Sequence, residues 1–106
     1  IWVGSVRADL GALPADARRQ LGFELREVQR GREPSDWKPM PSVGAGVVEI
    51  RVRDSGRAFR LFYVAKFAEA IYVLHAFQKK AQKTSGLDLA LARARYAAVR
   101  RQRREK

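Results

Sequence analysis

From Val47 onward the hydrophobic period of the chain changes to two, and this limits the available folds more than any other feature. In VVEIRVR, Val48, Ile50 and Val52 alternate with Glu49, Arg51 and Arg53, the pattern of a strand with one buried face and one charged face. The DSG that follows is a turn signal. AFRLFYVA and AIYVLHAF, separated by KFAE, read as two more strands. Short links between consecutive strands require antiparallel pairing, so a three-stranded meander is expected, with the opening IWV as a fourth strand.

Burial fixes the register. A turn through Asp54 to Arg57 sets Ile50 opposite Leu61 and Val52 opposite Phe59, whereas a three-residue turn would pair Ile50 with Arg60 and mix core with charge. Arg51 then faces Arg60. A second turn through Lys66 to Glu69 would place His75 opposite Arg60 and Leu74 opposite Leu61. One sheet face is thereby expected to carry Arg51, Arg60, His75 and Lys79. The other, with Ile50, Leu61, Tyr63, Tyr72 and Leu74, is expected to pack on helices.

Those helices precede the sheet. Val6, Leu10 and Leu13 recur at helical spacing, and Ala17, Leu21, Leu25 and Val28 repeat the pattern over a longer stretch. Pro14 suits the first turn of the second helix and Gly31 its stop, so the pair reads as a helical hairpin. Residues 31–46 hold three of the four prolines and read as an ordered loop or linker, with Trp37 and Met40 as packing anchors. A last helix begins near Ser85, where Ser85 and Asp88 resemble a capping box. Its stripe of Leu87, Leu91, Ala94 and Ala98 is expected to pack, and its basic tail to fray from about residue 99.

With 106 residues, one domain spanning 1–106 is expected, of α+β class: N-terminal strand, helical hairpin, antiparallel meander and C-terminal helix. The chain opens inside an apolar run, which suggests that a few residues of the first strand precede Ile1. Lysine and arginine number 22 against 11 acidic residues, a net charge of +11 that favours polyanionic partners. With no cysteine and one histidine, disulfides are excluded and a zinc site is not expected; no metal or other cofactor is predicted. No apolar run is long enough to span a bilayer, so a cytoplasmic protein without membrane contact is expected.

A histidine in a row of cations suits binding and cleavage of a phosphodiester. Arginines hold phosphate bidentately and stabilise the charge that grows on its oxygens, and a histidine beside them can accept a proton. Each of these residues also has a purely structural reading. His75 can be wedged beneath the last helix, and Arg51 and Arg60 can pair with Glu49. Lys79, Lys80 and Lys83 can form an ordinary charged turn. Phe77 either stacks on a base or joins the core, and Arg100 and Arg101 are expected to touch RNA phosphate without sequence preference.

The segments DWKPMP, FRLFYVAK and IYVLHAFQKKAQKT, with the basic last helix, resemble the phage-derived HigB-like toxins of the RelE and ParE superfamily, from Trp2 through the last helix. The resemblance implies the RelE-like fold and the toxin of a type II toxin–antitoxin pair, a ribosome-dependent, metal-independent endoribonuclease (mRNA interferase) that cuts mRNA and inhibits translation. Its partners would be the mRNA, the ribosome and a cognate antitoxin of helix-turn-helix type. The alternatives are a noncatalytic ParE-like poison of a protein such as gyrase, or a phage remnant that retains only antitoxin binding. By position, the catalytic cations fall at Arg51, Arg60 and Lys79. A lysine that RelE uses corresponds to Glu49, Tyr96 is the candidate for its late tyrosine, and His75 is the expected general base.

Overall fold

The computed structural model describes residues 1–104. Helices α1 (Val6–Gly11) and α2 (Ala15–Gln29) form the expected hairpin. Strands β1 (Trp37–Pro39), β2 (Val47–Asp54), β3 (Arg57–Val64) and β4 (Tyr72–Lys79) follow, then helix α3 (Gly86–Arg104). The strands make one antiparallel sheet in the order β1-β2-β3-β4. Pro14 stands just before α2 rather than inside its first turn.

The β2–β3 hairpin has the predicted register, with Ile50 opposite Leu61, Arg51 opposite Arg60 and Val52 opposite Phe59. Its two turn residues, Ser55 and Gly56, both have positive φ (53° and 75°). That geometry gives a two-residue loop the twist of the flanking strands.

The N-terminal half departs from expectation in three respects. The opening segment makes only a single parallel bridge, Trp2 to Val73, because the chain turns at Gly4 (φ 59°) into α1. The fourth strand is instead Trp37–Pro39, within the stretch read as a loop. Pro39 is tolerated there because β1 lies at the sheet edge, where a missing N–H interrupts no ladder. Met40 is buried, but Trp37 is 36% exposed and is no core anchor.

The β3–β4 connection, residues 65–71, is longer than the turn expected, and β4 is displaced by two residues. Arg60 faces Phe77, and His75 faces Phe62. A bulge follows: Phe62 pairs with His75 but Tyr63 with Val73, leaving Leu74 as the extra residue. The bulge turns Tyr72 and Leu74 to the face opposite the one predicted.

The sheet therefore has two cores. Ile50, Val52, Phe59, Leu61 and Tyr63 pack with Val6, Leu21 and Leu25 of the helical hairpin. Val47, Phe62, Val64, Tyr72 and Leu74 pack with Ala92, Tyr96 and Val99 of α3. Helix α3 is thus rotated from the orientation its apolar stripe suggests, with Leu87 82% and Leu91 38% exposed. The reason is Arg95. Its guanidinium is buried and donates to the Leu74 carbonyl (2.9 Å) and the Ser5 hydroxyl (2.9 Å), with the Asp9 carboxylate at 3.5 Å. Tyr96, beside it, donates to the Ala45 carbonyl (2.8 Å). Gly44 lets this ring approach, since a Cβ there would lie 2.4 Å from it.

The far end of α3 is clasped rather than frayed, being helical to Arg104; the last two residues of the expected tail, 105–106, lie outside the described residues. Arg103 donates to both oxygens of Glu69 (2.5 and 3.2 Å) and lies 3.7 Å over the ring of Phe67. The bond from Arg103 is the main cause that holds the Glu69 carboxyl down to about 2.

Two outcomes are expected. Arg95→Met removes hydrogen bonds made by a buried charge and should lower unfolding free energy by about 2–3 kcal/mol, measured by urea denaturation. Glu69 has a folded pKa below its ordinary value, so its contribution is present above about pH 4.5 and is lost as pH falls toward about 2. Glu69→Gln should therefore melt below the parent at neutral pH, and the gap between their melting temperatures should close in acid.

Candidate nucleic-acid interface

Helix α3 covers only part of its sheet face, and the uncovered part holds the cations. Rows across β2, β3 and β4 on this face read Glu49–Phe62–His75, then Arg51–Arg60–Phe77, then Arg53–Ala58–Lys79. Phe62 and His75 of the first row run under α3. The next two open into a cleft of about 930 Å³ whose lining includes Arg51, Arg53, Arg57, Arg60, Lys79 and Lys80. Lys38 of β1 pairs with Glu49 and adds a further cation at the edge of this face.

The structure thus brings Arg51, Arg60 and Lys79 together, as predicted. Arg60 is 4% exposed. Burial pushes its guanidinium below the ordinary value; Glu49 pulls it up, and Arg51 and Arg53 push it down. Lys79 is lowered too, by desolvation and then by Arg60. Such crowding favours an incoming anion, which would relieve repulsion that the fold leaves in place.

Beneath the arginines lies Glu49, only 1% exposed. One of its oxygens stands 3.7 Å from Arg51 Nε and 3.6 Å from Arg60 Nε. Neither carboxylate oxygen and neither of these Nε atoms has a hydrogen-bond partner. Buried polar atoms are rarely left without a protein partner. Here a carboxylate supplies counter-charge to two guanidinium groups without occupying their donors.

His75 is placed elsewhere. The expectation that it faces Arg60 fails because the longer β3–β4 connection moves it two positions, behind Phe77 and beneath α3. It is 5% exposed, and its Nε2 lies 2.8 Å from Asp88 Oδ1. Arg95, which can only donate, stands 3.4 Å from Nδ1, so Nε2 carries the proton given to Asp88. Both ring nitrogens are engaged inside the protein.

Phe77 stacks on His75 (centroids 4.8 Å apart, planes at 19°) and meets the edge of Phe62. At 7% exposure it belongs to the core. Lys80 and Lys83 are exposed on the chain leaving β4 and line a second groove beside the cleft. Arg100 and Arg101 share a concavity along α3 apart from the cleft, and Tyr96 is buried as a packing residue. Among the described residues no three His, Asp or Glu side chains gather as a metal site would require, and no helix is long and apolar enough to cross a membrane.

Sequence reasoning missed Lys38 and the part played by Glu49. Lys38 sits in a short strand of weak pattern. Glu49 stands on the charged parity of β2, where β1 pairs alongside it. Arg53 was legible from the same parity as Arg51.

No curated protein matches the sequence. A family match does cover most of the chain, over residues 8–97, described as Phage derived protein Gp49-like (DUF891), in general a family of RelE/HigB-like toxins. The sheet with its cationic half-face, the hairpin behind it and the covering helix are thus those of a member of the phage-derived Gp49-like family, to which this chain belongs.

Proposed function

We propose that the protein is the toxin of a toxin–antitoxin pair and acts as an endoribonuclease on mRNA in the ribosome. The observation that carries this reading is the convergence of Arg51, Arg60 and Lys79 on one open cleft, over a buried carboxylate 3.6–3.7 Å from the two arginine Nε atoms. A noncatalytic poison of a protein target requires no such convergence.

The chemistry follows from the groups present. Arg51 and Arg60 bind the scissile phosphate and stabilise the charge that builds on its nonbridging oxygens. The 2′-oxygen of the preceding nucleotide attacks phosphorus, a 2′,3′-cyclic phosphate forms, and the bond to the 5′-oxygen breaks. The 2′-hydroxyl proton passes to water, Glu49 holds the two guanidinium groups in place from beneath, and Lys79 gives a proton to the departing 5′-oxygen. In this scheme guanidinium groups do the work a metal ion would otherwise do. His75 takes no direct part, because its nitrogens are occupied.

With so sparse a catalytic set, electrostatics deliver RNA while the ribosome supplies the geometry of attack. An antitoxin that silences the protein would then present an acidic segment to this cleft, where complementary charge associates fastest.

The decisive experiment incubates the protein with translating ribosomes and with the same mRNA free in solution, then maps new 5′ ends. Cleavage is expected on ribosomes and little on free RNA; equal cutting of naked RNA would overturn ribosome dependence. Arg51→Ala with Arg60→Ala should lower the rate by about 100-fold to 1000-fold while circular dichroism stays unchanged. Undiminished cutting would remove the site from this face. Glu49→Gln keeps the packing shape but removes the counter-charge that holds the two guanidinium groups, so cleavage should fall while circular dichroism stays unchanged; undiminished cleavage would separate Glu49 from the site.

A further inference from the structure

A second groove, of about 430 Å³, adjoins the cationic cleft and shares Gln78, Lys79, Lys80 and Ala81 with it. Phe77 lines it on the apolar side, Lys83 adds charge, and Ser85 and Asp88 at the start of α3 close it. A carboxylate is an unexpected lining for a groove that continues a phosphate-binding surface, because it repels the backbone it would meet.

It is also held in place. Asp88 Oδ1 accepts from His75 Nε2 at 2.8 Å, and Oδ2 accepts from the Ser85 hydroxyl at 2.7 Å. Ser85 accepts in turn from the Asp88 backbone N–H at 3.1 Å, so the shorter acid completes a cap in which its side chain meets the hydroxyl. His75 is itself fixed by the stacked Phe77 and by Arg95. A carboxylate has about four lone-pair positions, and the two bonds here leave each oxygen able to accept once more. The Asp88 side chain remains 26% exposed.

We propose that this groove is a nucleobase-recognition subsite next to the scissile phosphate, in which Asp88 selects bases that present amino donors, guanine first and uracil last. The proposal rests on the reading of the cleft as an RNA site and names the base specificity of that site. Guanine places N1–H and the N2 amino group side by side, matching the two free acceptor positions of one carboxylate. Its neighbouring O6 accepts from a lysine ammonium, and Lys79, Lys80 and Lys83 all line this groove. Adenine and cytosine offer one amino group beside a ring acceptor. Uracil offers a single N–H between two carbonyl oxygens, which the carboxylate repels. Asp88 would therefore touch the substrate base, whereas His75, Ser85 and Arg95 would act through it as positioning residues.

The test uses four uncleavable 2′-O-methyl pentanucleotides that differ only in the central base, titrated by fluorescence anisotropy at low and high salt. The parent protein should bind the guanine oligonucleotide about tenfold or more tightly than the uracil one, the scale of one bidentate base contact. Asp88→Asn should bring the four affinities within about twofold of one another while phosphate-driven binding and its salt dependence persist. Equal affinities in the parent overturn the proposal without any variant, which matters if Asp88→Asn loosens α3. A folded Asp88→Asn protein that keeps the parent's preference overturns it also. If none of the four binds with salt dependence, the RNA reading of the cleft fails together with the subsite, so the two failures are told apart.

Discussion

The buried guanidinium of Arg95 is the contact on which the rest of the architecture depends. It reaches from α3 to the Leu74 carbonyl of β4 and to Ser5 and Asp9 at the start of α1. A buried arginine left without these acceptors would be strongly unfavourable, so the helix has one rotation at which all are met. That rotation places Ala92, Tyr96 and Val99 on the sheet and leaves Leu87 and Leu91 outward. It also fixes how far α3 covers the sheet, and therefore how much of that face stays open. The polar contact decides the orientation and the hydrophobic contacts adapt to it.

The open half of the sheet is an arrangement that folding alone would not favour. Arg51 and Arg60 stand directly across from each other on neighbouring strands, and like charges in that relation are destabilising. Glu49 offsets part of the repulsion, but at 3.6–3.7 Å and without hydrogen bonds. The hydrophobic face behind the row, with Ile50, Phe59 and Leu61 fully buried, supplies the stability that permits this. Cations held this close by a rigid sheet repel one another, and on the proposed reading that repulsion falls when a phosphate arrives.

Expected losses at Arg51 and Arg60 follow from a register that could be read without coordinates, and why it could is instructive. The β2–β3 hairpin has a short turn with a glycine and two strands of strict alternation, so only one pairing keeps charge out of the core. The β3–β4 pair has a longer connection and near-continuous apolar strands, FRLFYV and YVLHAF, in which a shift of two costs the pattern little. Alternation likewise gave no warning of the bulge at Leu74. The apolar stripe of α3 was real in the sequence, but Leu87 and Leu91 lie outward, because spacing alone cannot register that Arg95, one turn beyond Leu91, has four acceptors waiting inside the fold. Lys38 and the burial of Glu49 were illegible for a related reason: both depend on a short edge strand contributed by a proline-rich segment.

The single histidine draws these strands of the structure together. It is removed from the cationic row by the same displacement that sets Phe77 opposite Arg60, yet it is not merely filling space. Its Nδ1 faces Arg95 and its Nε2 donates to Asp88, so it joins the contact that orients α3 to the carboxylate at the mouth of the second groove. A hydrophobic residue of similar size would fill the volume but leave Asp88 free to rotate. An imidazole with both nitrogens engaged fixes that carboxylate relative to the sheet, and so relative to Arg60 and Lys79. The proposed discrimination between bases would require that relation to hold, since a carboxylate that swings with solvent reads no edge in particular. The histidine's place in the chain is explained by what it aims, and the residue it aims is the one that opens to the groove.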